Sequence, residues 1–362
     1  MSDDLSYQKA GVDTEKQDRI MGNLTYWVER TFAFRPDSVK LPLGYFANVI
    51  DLGNGLGLAL STDGVGTKII VAEMMEKYDT VGIDCVAMNV NDVLCVGATP
   101  IALLDYLAVE VPHDDLMADL VSGLYKGAEL AQVVIPGGEI AQIGEMIRGH
   151  GKREKYGFDL VGACAGTVAI DRILRGQDTQ DGDLIVGLRS TGVHSNGLSL
   201  ARKVFFKKLH WPIDKNLTEL GRTIGEELLE PTRIYVREVL SMLKANLKIK
   251  ALAHITSTGF LNLSRASTTA SYVIDSLPEP HPIFRLIQHY GAIPNEEMFL
   301  TYNMGVGFCI VVAPEDVDSV RRITHDHGVE SHVIGHVVMD GKKEVRIPQY
   351  RLIGVGGKFR SN

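Results

Sequence analysis

Two spacings of apolar residues alternate along this chain. In residues 14–32, TEKQDRIMGNLTYWVERTF, the positions Ile20, Leu24, Trp27, Val28 and Phe32 recur at helical intervals and predict an amphipathic helix. After the loop RPDSVKLP, the runs FANVIDL and GLGLALS are joined by Gly53-Asn54-Gly55, which predicts two strands about a tight turn. Leu56, Leu58 and Leu60 share one face of the second strand. The mostly apolar stretch 80–98, TVGIDCVAMNVNDVLCVGA, predicts a helix. PIALLDYLAVEV then predicts a strand, 114–132 a helix, VVIPGGE a short strand running into a turn, and 159–170 another strand.

The charged, glycine-containing segment 169–182, IDRILRGQDTQDGD, follows a finished strand and marks a boundary. We expect one domain over 1–170 and a second over 171–362. The second unit reads DLIVGLRS, helices near 197–209 and 232–246, IKALAHIT, ASYVID, a helix near 281–290, GVGFCIVV, a helix over 315–327, and SHVIGHVV. Strands and helices alternate in both halves, with several hairpin-like neighbours, so the expected class is α/β (α+β) in layers.

With 362 residues and 45% hydrophobic content the chain can bury two cores. Its 37 basic and 45 acidic residues give a net charge of -8, with no basic block. A nucleic-acid partner is therefore not expected. Any phosphate must be bound locally, through metal ions, backbone N–H groups or a few chosen cations. Cys85, Cys95, Cys164 and Cys309 lie far apart in apolar surroundings, and read as buried reduced thiols. The polar start MSDDLSYQKAG is no signal peptide, and no run of about 18 apolar residues suggests a membrane span. A cytoplasmic enzyme is the expectation.

Several polar residues resist a purely structural explanation. STDGVGTK, 61–68, follows an apolar strand and combines glycines, a hydroxyl and a lysine. It is not a Walker A loop, because Thr67 rather than glycine precedes Lys68. Glycines still let consecutive N–H groups approach an anion, and Lys68 adds a point charge. Asp63 would repel a bare phosphate unless a divalent cation lay between them. Asn89 and Asp92 share a face of the predicted helix, with Asp84 and Asn91 read as part of the same solvated stripe. Asp105 sits on the strand face of Leu103 and Leu107, where an unpaired charge is costly. Glu139 ends the PGGE run. Four acids near element ends, with no histidine cluster, suit Mg²⁺ and a nucleoside triphosphate held through it. The segment after Glu139 has four glycines and four cations and reads as a mobile basic flap.

In the second half, STGVHSNG, 190–197, opens a helix. Ser195 or Asn196 could cap it, and His194 could carry a proton. AHITSTGF, 253–260, is a strand followed by a small-residue turn.

Taken in order, SYQKAGVD, DGVGTK, GID-x-VAMNVND, LDY, GGE, HSNG, EPTRIY, AHIT and NMGVGF resemble the phosphoribosylformylglycinamidine cyclo-ligase (aminoimidazole ribonucleotide synthetase) family. The resemblance runs over about 6–340. It implies a two-domain fold whose N-terminal domain forms a β-barrel across a homodimer, with a C-terminal α/β domain. It implies ATP and Mg²⁺, a small ribonucleotide substrate, and ring closure through phosphoryl activation of an amide oxygen. By matching position it implies Asp63, Asp92, Asp105 and Glu139 as metal ligands. Gly64, Gly66, Thr67, Lys68 and Asn89 would then lie at the nucleotide, and Ser195, Asn196, Gly197, His254 and Thr256 at the substrate. His194 and Lys68 would be catalytic. Three positions depart from the family pattern. Met21 stands for lysine, Ile140 for threonine, and Ser257-Thr258 for two glycines. They leave two alternatives open: a related phosphotransferase or ligase with another small substrate, or nucleotide binding without turnover.

Overall fold

The computed structural model describes residues 14–266 and 269–361. The SYQKAGVD stretch and the Met21 side chain lie outside the described residues. The N-terminal half contains helices α1 (Thr14–Arg30), α2 (Lys68–Met75), α3 (Val81–Leu94) and α4 (Asp114–Ala131). Its strands are β1 (Asn48–Gly53), β2 (Leu56–Gly64), β3 (Thr99–Val109), β4 (Val134–Gln142) and β5 (Phe158–Ala169). They form one sheet in the order β1-β2-β5-β3-β4, antiparallel except for the β3–β4 pair. The sheet is open. The barrel implied by the resemblance is not closed within one chain.

The glycine turn behaves as its sequence predicts, with Asn54 and both flanking glycines at positive φ. The segment VVIPGGE does not. It continues as β4 to Gln142, so Glu139 sits within a strand and not at a turn.

One face of this sheet packs on α3, which lays Cys85, Asn89 and Val93 over the β5 glycines Gly162 and Gly166 and carries α4 on its other side, where Val86 meets Gly127. The opposite sheet face keeps Leu56, Leu60, Leu104 and Tyr106 exposed. On α1, Ile20, Leu24, Trp27 and Val28 are also exposed.

The C-terminal half runs β6 (Leu184–Arg189), α5 (Leu198–Arg202), the hairpin β7 (Asn216–Leu217) and β8 (Arg222–Thr223), α6 (Ile224–Leu229) and α7 (Val236–Lys244). It continues β9 (Ile249–His254), β10 (Ser271–Ile274), α8 (Pro282–Gly291), α9 (Asn295–Thr301), β11 (Val306–Val312), α10 (Val317–Asp326), β12 (Ser331–Val338), β13 (Val345–Ile347), β14 (Leu352–Val355) and β15 (Lys358–Ser361). Eight of its strands form a sheet in the order β15-β14-β13-β10-β12-β6-β11-β9. Every residue of β11 is buried, as expected for a strand covered on both faces. All four cysteines are free and buried.

Among the described residues no helix is long and apolar enough to cross a membrane.

Candidate active site

Strand register sets out the acids. Asp63 on β2 and Asp105 on β3 both pair with Gly162 of β5, and Asp105 also pairs with Gly138 of β4. One row across four strands therefore reads acid, glycine, acid, glycine. Residues paired directly across strands point to the same face, and here that face is the one covered by α3. The glycines are required by space. A Cβ on Gly162 would stand 2.7 Å from Asn89 Nδ2, and one on Gly138 would stand 2.4 Å from Asp105 Oδ1.

Asp63 and Asp105 are two strands apart, about 10 Å by strand spacing. Burial raises the Asp105 carboxyl above the usual range. Asp105 lines a cleft of about 730 Å³ with Leu124, Tyr125 and Gln132. Glu139 pairs with Tyr106, one position on from Asp105. Alternation turns it to the opposite sheet face, where it is exposed. The structure thus does not bring Glu139 to the other acids. Among the described residues, no three histidine, cysteine, aspartate or glutamate side chains gather as a group that could hold a metal ion.

Asp63 and Asp92 do converge. Burial, then the Asp92 charge, push the Asp63 carboxyl up to about 6, against the pull of the Gly64 N–H. That N–H donates to Asp63 Oδ1 at 2.8 Å. Asn89, buried on α3, donates to the carbonyls of Asp63 at 3.1 Å and Cys85 at 2.8 Å. Its Oδ1 is buried with no partner. Asp92 Oδ1 lies 2.9 Å from Nδ1 of the fully buried His254 at the end of β9.

Beyond Asp63 the chain turns through Gly66, at φ +69 with nothing within 4 Å of where a Cβ would stand. Gly66 and Thr67 are exposed. α2 begins at the next residue, and the Ile69 and Ile70 N–H groups donate to the carbonyls of Gly66 and Thr67 at 3.2 and 3.3 Å. With Ile70, Arg148 and His150 these two residues line a cavity of about 500 Å³. The basic segment read as a mobile flap supplies its other wall and is tied down at several points. Glu110 Oε2 accepts the Gly149 N–H at 3.0 Å, Glu73 accepts the His150 N–H, and Arg153 pairs with Asp115 at 2.7 Å.

Lys68 departs from expectation. Its side chain is fully buried, and its ammonium donates to Asp84 Oδ1 at 2.9 Å and to the Glu230 carbonyl at 2.6 Å. The reason is position. As first residue of α2 it falls on the inner side of the helix, and a buried ammonium needs a charged partner. That partner, Asp84, was read as solvated and is fully buried. Asn91, from the same stripe, is buried too, accepting the Tyr235 N–H at 3.0 Å and donating to the Arg233 carbonyl at 2.9 Å. The stripe spanning Asp84, Asn91 and Asp92 therefore faces the C-terminal half instead of water. Thr232, Arg233 and Tyr235 of EPTRIY are its partners. Sequence reading missed these contacts, whose only signal was polar residues recurring on an otherwise apolar helix.

The 190–197 loop meets this junction. Its helix is capped by neither Ser195 nor Asn196. Gly197 holds the N-cap at φ +77, with no side-chain hydrogen bond. Ser195 instead donates to Asp84 Oδ1 at 3.2 Å and lies 3.0 Å from Thr232 Oγ1. His194 is buried at φ +62. Its Nε2 accepts the Thr191 N–H at 3.2 Å, so its proton resides on Nδ1, which has no partner. Burial, reinforced by His254 and Lys68, holds its pKa well below the ordinary value. Asn196 Oδ1 is likewise buried and without a partner. Thr256, half-buried after β9, accepts the Gly259 N–H on its carbonyl at 3.0 Å.

The altered turn carries a backbone signature. Thr258 lies at φ +70, a conformation natural to glycine and costly for a β-branched residue. Thr258→Gly is expected to raise stability by about 1 kcal/mol, read from urea unfolding. A loss of stability would mean that the threonine side chain makes good the backbone cost.

Residues 44–168 match the family "AIR synthase related protein, N-terminal domain", and residues 180–348 match its "C-terminal domain". The phosphoribosylformylglycinamidine cyclo-ligase of Methanocaldococcus jannaschii is 47% identical over 336 residues, covering 92% of each chain. That of Methanothermobacter thermautotrophicus is 44% identical over 339 residues, covering 94% of this chain and 96% of the relative. Among solved structures, thiamine-monophosphate kinase from Stenotrophomonas maltophilia superposes with a TM-score of 0.58 at 17% identity, over 88% of this chain and 93% of that one. Hydrogenase maturation protein HypE in complex with ATP gives 0.58 at 16%, over 82% and 83%. These structures share the fold. Both domain matches, with 44–47% identity over more than nine-tenths of the chain, place this chain in the AIR synthase related family.

Proposed function

We propose that this chain is an ATP-dependent cyclo-ligase of purine biosynthesis, closing formylglycinamidine ribonucleotide to aminoimidazole ribonucleotide. The observation that carries the reading is the junction at α3, where the Asp63–Thr67 loop, the Asp92–His254 pair and the 194–197 loop come together. An amide oxygen is a poor leaving group. Transfer of the γ-phosphoryl group of ATP to that oxygen gives ADP and an activated carbon. An amidine-side nitrogen then attacks this carbon, and inorganic phosphate leaves. Such chemistry asks the protein mainly for positioning and charge neutralisation.

The glycine loop and the cavity beneath the 143–157 segment suit the nucleotide, with Gly64, Gly66 and Thr67 along its phosphates. Asn89 lies beside them, and its unpartnered Oδ1, an acceptor, suits the metal ion rather than a phosphate oxygen. Asp63 and Asp92 fit Mg²⁺. Both donors are carboxylates, and their mutual repulsion is what a cation would relieve. When bound, Mg²⁺ would neutralise charge on the phosphates. His254 orients Asp92. Lys68 acts as a positioning residue behind the loop and not as a phosphate ligand. Neutral His194 presents Nδ1–H to the ribonucleotide, beside Ser195, Asn196, Gly197 and Thr256. Asp105 and Glu139 stand further out and are not assigned to the same ion.

The decisive measurement is ADP release and imidazole product from purified protein, with and without formylglycinamidine ribonucleotide. ADP release independent of that substrate, with no imidazole formed, would point to another acceptor.

We place the domain boundary at 170/171 and the enzyme in the cytoplasm, in keeping with four reduced cysteines. The exposed Leu56, Leu60, Leu104 and Tyr106 face supports a homodimer built on the N-terminal sheets. Sedimentation at micromolar concentration is expected to give twice the 39.7 kDa chain mass. A stable single-chain species would remove the dimer and its barrel together.

A further inference from the structure

We propose that Asp84 is a positioning residue that fastens the nucleotide loop to the ribonucleotide loop, so that occupancy of one site sets the affinity of the other. The inference rests on the assignment of the glycine loop to ATP and of residues 194–197 to the ribonucleotide.

Asp84 is fully buried, and a single oxygen, Oδ1, collects donors from three separate segments. Lys68 Nζ lies at 2.9 Å, the Thr232 N–H at 2.7 Å, Thr232 Oγ1 at 2.6 Å and Ser195 Oγ at 3.2 Å. The other oxygen, Oδ2, has no partner. Four donors exceed what one carboxylate oxygen accepts in good geometry. The arrangement is therefore overcommitted, and its weakest member is the one nearest the proposed ribonucleotide site.

Ser195 also lies 3.0 Å from Thr232 Oγ1. Since Thr232 gives its hydroxyl proton to Asp84, its oxygen is free to accept from Ser195. Ser195 can thus leave Asp84 for Thr232, or turn to a ligand, while the other three donors stay in place. On the other side, Lys68 directly follows Thr67 in the chain, and Thr67 Oγ1 lies 2.9 Å from Ser199 Oγ at the start of α5. A nucleotide that draws on the glycine loop moves the Lys68 ammonium with it. The charge pair transmits that displacement to Asp84, and the change in its acceptor load is felt by Ser195.

The test is equilibrium binding of a non-hydrolysable Mg·ATP analogue and of formylglycinamidine ribonucleotide, singly and together, to the full-length protein. In the wild type each ligand should tighten the other by at least about fivefold. Asp84→Asn keeps an acceptor for Thr232 but loses the charge that holds Lys68. Thr232→Val removes one donor and the alternative acceptor for Ser195. In both variants the factor should fall to about one, while each ligand alone still binds. A purely structural role would lower stability and leave the factor unchanged. An unchanged factor in folded Asp84→Asn, or in Thr232→Val should the first variant not fold, overturns the proposal. So does independent binding of the two ligands in the wild type. If the wild type binds neither ligand, the site assignment itself fails, and the latch with it.

Discussion

Lys68→Met is expected to cost about 3–5 kcal/mol of folding stability. The substitution removes the ammonium from a site with no solvent exposure and leaves the Asp84 carboxylate buried without its counter-charge. Thr232 and Ser195 would still donate to it, but neutral hydrogen bonds do not replace an ion pair in a dry interior. The Glu230 carbonyl also loses its donor. Urea unfolding of both proteins gives the difference directly. A lysine that reached into the nucleotide site would behave in the opposite way, with weakened ATP binding and near-normal stability. A stability change under about 1 kcal/mol would thus restore the phosphate-ligand role read from the sequence.

Asp63→Asn should move stability and affinity in opposite directions. The native carboxyl titrates at about 6, above the value of about 3.9 for a free aspartate. The folded protein therefore binds more protons than the unfolded chain between these values. Its stability falls as pH rises from about 4 to about 6, and the deficit is complete at neutral pH. Allowing for partial exposure, that deficit is about 1–2 kcal/mol. Asparagine keeps the acceptor for the Gly64 N–H and abolishes the charge. The metal-free variant is expected to be more stable at pH 7 by that amount and to lose this pH dependence. Its affinity for Mg·ATP should drop at least tenfold, or about 1.4 kcal/mol. Calorimetry with and without Mg²⁺, beside unfolding at pH 4 and pH 7, tests both halves. Wild-type affinity for Mg·ATP in the variant would end the metal assignment of Asp63.

These two residues show where the sequence was legible. The element order could be read because apolar spacing is local. The turn at Gly53-Asn54-Gly55, the helix of residues 81–94 and the face shared by Leu103, Asp105 and Leu107 needed no partner to be recognised. Asp63 was suspicious on its own, as an acid beside a glycine loop. Lys68 was misread because its meaning depends on Asp84, and Asp84 on Thr232, which lies 148 residues further along the chain. Glu139 was placed with the other acids for a related reason. Its distance from Asp105 in sequence says nothing of register, and one position of register decides the face. The Ser195 hydroxyl has a similar history: a helix-start residue by local rules, it was drawn away by a carboxylate from the other domain.

The polar stripe on α3 also has a consequence for biosynthesis. Asp84, Asn91 and Asp92 meet partners that lie 148, 144 and 162 residues later in the chain. At a synthesis rate of roughly 5–20 residues per second, the ribosome needs about 7–30 s to deliver them. During that interval the first sheet can form its hairpin and receive α3, yet the carboxylate of Asp84 has no Thr232 to receive. The nascent N-terminal half is thus held short of completion, with a polar seam open to water and to chaperones. The seam can close only when the EPTRIY segment and then His254 have cleared the exit tunnel.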